Sequence, residues 1–128
     1  MSVWRRKAIE CLPALRKEFE QPATSIYDVF IEMLPAVVKA HKEKDNITLM
    51  MIYDFAEWCF QQKEKDLWNA AGVVFYEHLG DYNETLKEFQ KWVKPKIYCD
   101  IRGLLEQRLA ETDLQNLDKL YAFKLKSN

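Results

Sequence analysis

Glu57, Cys59, Glu77 and His78 are the side chains of this sequence most able to do chemistry, and all four fall within one stretch, FAEWCFQQKEKDLWNAAGVVFYEHL, residues 55 to 79. A thiolate with an imidazole can ligate a metal, and a pair of carboxylates can divide acid and base duties. Spacing argues against the metal. Zinc sites favour close pairs such as Cys-x-x-Cys or His-x-x-x-His, and the sequence has neither. Wound as a helix, residues 46 to 62 leave Asn46, Asp54, Glu57 and Gln61 as a narrow polar strip, while Cys59 turns into the apolar side with Leu49, Ile52, Tyr53, Ala56 and Phe60. Cys59 and Glu57 therefore cannot meet on one ion, and no metal or cofactor is expected.

On the next helix the same winding sets His78 beside Leu67, Ala71, Val74 and Phe75 near the centre of the apolar face, with Glu77 at its edge. A core histidine held by one backbone or carboxylate partner is the expectation. His41, flanked by Lys39 and Lys42, reads as a solvated residue favoured at a helix end. The acidic strip reads as a docking surface for a partner, built from Asp54, Glu57, Gln61, Asn69 and Glu77 with Trp58. The alternative is a small-ligand or enzymatic site in which Glu57, Glu77 and His78 converge in an inter-helix pocket. That alternative lacks a nucleophile at defined spacing, and no glycine-rich phosphate loop, Gly-x-Ser-x-Gly elbow or His-Glu-x-x-His run supports it.

These residues must be positioned by helices. Only 3 glycines and 4 prolines occur in 128 residues, and strict apolar/polar alternation appears nowhere. A first helix capped by Ser2 runs toward Leu12; Pro13 either kinks it or opens a second segment, and Pro22 ends that unit. Ser25 and Asp28 make a capping box for a helix from Ile26 to about Lys44, with Pro35 in its middle. Helical spacing of Val29, Phe30, Met33, Val37 and Val38 across the proline favours one kinked helix. Asp45 or Asn46 caps the next, Ile47 to about Gln62; the fourth runs from Leu67 to Leu79 with Gly80 as its stop. Asp81 and Glu84 cap a fifth that ends near Lys94, carrying a lysine stripe at Lys87, Lys91 and Lys94. Pro95 starts a sixth, reaching about Ala110, and the remainder either extends it or forms a seventh.

Short connections favour antiparallel neighbours, and the 46 to 62 helix, apolar over most of its circumference, must be covered on more than one side. The fold class is thus all-α. Antiparallel helical hairpins in a short right-handed α-α superhelix of the HEAT or TPR kind are expected, with an up-down bundle as the alternative. No composition break divides residues 1 to 128, which read as a single domain.

Hydrophobic residues make up 48% of the chain and charged ones 30%, a globular balance. With 19 basic against 20 acidic side chains the net charge is -1, which gives no field to attract nucleic acid or an anionic membrane. No apolar run approaches membrane-spanning length. Cys11, Cys59 and Cys99, odd in number and widely spaced, read as buried reduced thiols in a cytoplasmic protein. Aromatic residues, 13% of the chain, exceed what a small core hides, so Trp4, Trp58, Trp68, Tyr76, Tyr82 and Trp92 are candidates for partial exposure. Self-association through such a surface, giving a homodimer, is a further expectation.

Two motifs carry a resemblance. Phe55, Ala56, Glu57, Trp58 and Cys59, followed by Asn69, Ala70, Ala71, Phe75 and Glu77, resemble a group of small bacterial all-helical proteins of unknown function, some of them immunity-protein-like. The resemblance implies a compact HEAT-like domain and supplies no catalytic residues. Together with the acidic strip it implies a non-enzymatic protein-interaction module, immunity-like or adaptor, whose partner is a protein, a toxin among the candidates.

Overall fold

The computed structural model describes residues 1–124, and among these every regular element is helical. α1 spans Val3–Cys11, and Pro13 opens a 3₁₀ turn that leads into the short α2, Arg16–Phe19. The Arg5 guanidinium ties the two together by donating to the carbonyls of Phe19 (2.5 Å), Gln21 (2.8 Å) and Thr24 (3.0 Å). These carbonyls have no intrahelical partner at a chain reversal, so a forked cation is well matched to them.

α3, Ile26–Glu43, starts with both halves of the expected capping box: the Ser25 amide donates to Asp28 (2.9 Å), and the Asp28 amide donates to the Ser25 hydroxyl (3.2 Å). It passes through Pro35 as one helix and stops at Lys44, whose left-handed backbone (φ 54°) caps it without a glycine. Asp45 turns the chain directly into α4, Asn46–Phe60, by accepting from the Thr48 amide (3.1 Å) and hydroxyl (2.6 Å). The α3–α4 hairpin buries Val29, Phe30, Met33 and Val37 against Leu49, Ile52, Phe55 and Ala56. α4 also packs on α1 and on the segment after it, as its near-continuous apolar circumference requires.

The fourth helix departs from regularity. α5, Lys65–Ala70, widens into a π-helical turn over Ala71–Phe75 and then tightens to 3₁₀ over Tyr76–Asp81. Gly80 is not in the left-handed conformation of a helix stop. Its missing side chain instead makes room for Leu109, into which a β-carbon would run. Asp81 caps nothing and turns to His78 and Arg108. The expected fifth helix is two short ones, α6 (Asn83–Leu86) and α7 (Phe89–Trp92), with Glu88 between them at φ −111°, ψ 11°. Thr85, fully buried, donates its hydroxyl to the carbonyl of Leu79, across the turn. Pro95 opens α8, Pro95–Glu106, and the rest folds back as a separate α9, Glu111–Leu120.

Cys11 and Cys59 are buried, but Cys99 is exposed, contrary to the expectation for all three. α8 buries Ile97, Tyr98, Ile101 and Leu105, a stripe at helical spacing that leaves position 99 on the outer side.

Candidate functional site

α1 and α4 leave a groove of about 200 Å³ between them, lined by Lys7, Glu10 and Cys11 from one and Met51, Asp54, Phe55 and Trp58 from the other. Lys7 lies over the Trp58 ring, its ammonium 5.2 Å from the ring centre, a cation–π contact across the groove. Cys11 forms the floor and donates its thiol to the Met51 carbonyl at 3.3 Å. Burial, reinforced by Glu10 and Asp54, pushes that thiol up to about 12, and burial does the same to Cys59. Neither is a nucleophile at neutral pH.

The groove continues along α4 as a surface stripe. Ile47, Met50, Asp54, Trp58 and Gln61 recur at helical spacing on the outward side, with Ile47 72% and Met50 52% exposed. Trp58 is half-buried among them.

The other residues of the expected docking strip go to different places. Glu57 is half-buried rather than solvated: it takes an ion pair from Lys94 at 2.7 Å and a 3.3 Å hydrogen bond from Gln61. Lys94 is thereby drawn out of the lysine stripe and, held by Glu57, is raised above the ordinary lysine value. Asn69 faces α3, donating to the Tyr27 hydroxyl (3.1 Å), which in turn donates to Asp66 (3.2 Å). Glu77 lies 3.5 Å from His78 Nε2, and His78 Nδ1 meets Asp81 at 2.8 Å, itself paired with Arg108 at 2.8 Å. Glu77 and His78 thus share one charged cluster, and Glu57 belongs to another. Among the described residues no three His, Cys, Asp or Glu side chains gather as a metal site.

The two histidines exchange the environments expected of them. His78, expected in the core, is part-exposed, with 31% of its side chain reaching solvent. His41, expected in solvent, has a fully buried side chain: Nδ1 lies 2.8 Å from a Glu88 oxygen and Nε2 lies 2.8 Å from the Tyr53 hydroxyl. Trp92 stacks on Tyr53 (5.4 Å, 14°) and stands edge-on to the imidazole (6.4 Å, 85°). The His41 hydrogen bond holds the Glu88 carboxyl below its ordinary value, while burial raises the Tyr53 hydroxyl. The cluster pins α7 to the α3–α4 hairpin. A signal for it does exist in the sequence, since Phe30, Met33, Val37 and His41 continue one stripe along α3.

The groove, the α4 stripe and the His41 cluster all fall within residues 5–110, which match a domain of unknown function, DUF7674. The chain belongs to the DUF7674 family. No curated protein and no solved structure matches it. The DUF7674 match begins inside α1 and runs through α8, and α9 lies beyond it. Among the described residues no helix is long and apolar enough to cross a membrane.

Proposed function

We propose that this DUF7674 protein is a non-enzymatic interaction module, immunity-like or adaptor, that docks a partner protein on the outer face of α4 and the adjoining α1–α4 groove. The observation that carries the reading is the exposure of Ile47 and Met50 in line with Asp54 and Trp58 on one helix face. Large apolar side chains left in solvent beside a half-buried tryptophan form the kind of surface that protein interfaces use as a core, and tryptophan is enriched among the residues that dominate binding.

The chemistry of the groove favours binding over catalysis. Its thiol, Cys11 Sγ, is held protonated, and its carboxylates, Glu10 and Asp54, form a rim that suits a basic side chain of the partner. A toxin neutralised by an immunity-like protein is the partner class the resemblance suggests, in a reducing cytoplasm where Cys11, Cys59 and Cys99 stay free.

Affinity capture from cells that make the protein tests this. Trp58→Ala and Asp54→Lys should each lower recovery of a stoichiometric partner by about tenfold or more. Lys119→Glu, exposed on α9, should leave recovery unchanged. Equal recovery with all three variants removes the α4 face from the interaction.

A further inference from the structure

Lys7 enters the α1–α4 groove without closing it. Its ammonium stands 5.2 Å from the centre of the Trp58 ring, yet it pairs with neither of the carboxylates that line the groove with it, Glu10 and Asp54. Among the described residues neither of these two takes an ion pair, whereas Glu57, Asp81 and Asp118 each hold a lysine or an arginine. Glu10 comes from α1 and Asp54 from α4, so they stand on opposite walls, and both are exposed. Their charges meet at the floor, where burial first, then Glu10 and Asp54, push the Cys11 thiol up against the opposing influence of Lys7. One cation thus faces two anions, in a groove whose remaining lining, Cys11, Met51 and Phe55 beside Trp58, is apolar.

Size narrows the occupant. At about 200 Å³ the groove is smaller than the roughly 300–1,000 Å³ of sites that enclose a small molecule, and it suits one long side chain. Apolar walls cover a methylene stem, an indole face takes a cation, and carboxylates on two sides take N–H donors. An ammonium is a point charge and meets the first two demands only, as Lys7 does. A guanidinium is planar, stacks on an aromatic face and carries five donors in a fixed fork, so it reaches the ring and both carboxylates at once.

We propose that the α1–α4 groove is a receptor for one arginine side chain of the protein partner, and that Lys7 is an internal stand-in which this arginine displaces from the Trp58 ring. The proposal rests on the reading of the α4 face as a docking surface and adds the residue that the partner must carry there. The guanidinium stacks on Trp58 between Glu10 and Asp54, its stem lies along Met51 and Phe55, and Lys7 turns to solvent. Lys7 also sets selectivity, since a ligand that uses the ring alone gains nothing by replacing it. Only a cation that engages both carboxylates as well does.

Three blocked tripeptides, followed by NMR on the full-length protein, test this. They are acetyl-Gly-Arg-Gly-amide, its lysine counterpart, and its citrulline counterpart, in which an uncharged urea of the same shape replaces the guanidinium. The indole N–H of Trp58, identified by its loss in Trp58→Phe, should shift saturably with the arginine peptide. Binding should be about fivefold tighter than for the lysine peptide, and the citrulline peptide should not saturate. Asp54→Asn and Glu10→Gln should each weaken arginine binding by about threefold. Lys7→Met, which keeps the stem and removes the charge, should strengthen it by about threefold. Arg6→Met removes an equal charge from an exposed position outside the groove lining and should change it by less than about 1.5-fold at physiological salt.

Equal affinity for the arginine and lysine peptides, weaker arginine binding in Lys7→Met, or no saturable binding of the arginine peptide overturns the proposal. Partner capture separates that failure from failure of the docking surface itself. If capture still depends on Trp58 and Asp54 but is the same in Lys7→Met as in wild type, the α4 surface stands and the arginine at its centre does not.

Discussion

His41 Nε2 lies 2.8 Å from the Tyr53 hydroxyl, joining the end of α3 to the middle of α4 inside the core. On the other side of the ring Nδ1 meets Glu88, so in the neutral tautomer that fits both partners Nδ1–H donates to the carboxylate and Nε2 accepts from the tyrosine hydroxyl. Every polar atom of the His41–Tyr53–Glu88 chain is then satisfied.

Deleting the ring leaves the Tyr53 hydroxyl buried without a partner and opens a cavity beside Trp92. His41→Ala should destabilise the fold by about 2–4 kcal/mol and Tyr53→Phe by about 1–2 kcal/mol. The two losses should be strongly non-additive in the double variant because they share one bond. Urea unfolding of the four proteins measures this. A solvated His41 would give a loss within about 0.5 kcal/mol.

Acid should weaken the attachment of α9 and of α7 in particular. The Arg102 guanidinium, with help from Tyr98, holds the Asp118 carboxyl below the ordinary aspartate value, and His41 does the same to Glu88. A carboxyl depressed in the folded state adds stability that is fully present above its unfolded value, about 4, and is lost as pH falls through the folded value. Unfolding free energy measured from pH 7 down to pH 2 should therefore drop below about pH 4. Asp118→Asn should be less stable than wild type at pH 7 and converge with it at the acid end. A constant gap across the range contradicts the ion pair.

Two glycines should answer alanine with opposite signs. Gly103 is exposed on α8 with nothing within 4 Å of an added β-carbon, so Gly103→Ala should gain about 0.5–1 kcal/mol from lower unfolded-state entropy. Gly80→Ala forces Leu109 to move and should lose about 1–3 kcal/mol by overpacking. Thermal unfolding of the pair reads both, and the same sign at both positions would refute the close approach of Gly80 to Leu109.

The all-helical fold was legible because local signals agreed with packing. Ser25 with Asp28, Asp45 with Thr48 and Pro95 at a first turn all mark helix starts, and they do so in the structure. α4 read correctly for Asp54 and Gln61, which face outward, and for Ile52, Ala56 and Cys59, which are buried, but not for Ile47 and Met50, large apolar side chains that stand in solvent. Its Glu57 alone drew inward, because Lys94 came to it from 37 residues away.

The fourth helix did not read correctly, and the reason is its period. Winding at about 100° per residue sets His78 roughly 20° from Leu67 and Leu79 roughly 120° from it. The π-helical turn at Ala71–Phe75 slows the winding, which brings Phe75 inward and turns Val74 outward, and the tighter 3₁₀ turn after it changes the period again, with Tyr76 and Leu79 buried and His78 part-exposed. No residue type announces such a turn. His41 was hidden differently: its lysine neighbours suggested solvent, and the carboxylate that satisfies it lies 47 residues further on, in a break between α6 and α7 that local propensity does not mark.

The central claim, that the outer face of α4 holds a protein partner, is tested most directly by site-specific photo-crosslinking in the cells that make this protein. A photoreactive side chain at Met50 should capture one discrete partner, and the same group at Gln115, exposed on α9, should not. Capture of that partner from Gln115 but not from Met50, or no capture from Met50 while the partner still co-purifies, would contradict the account.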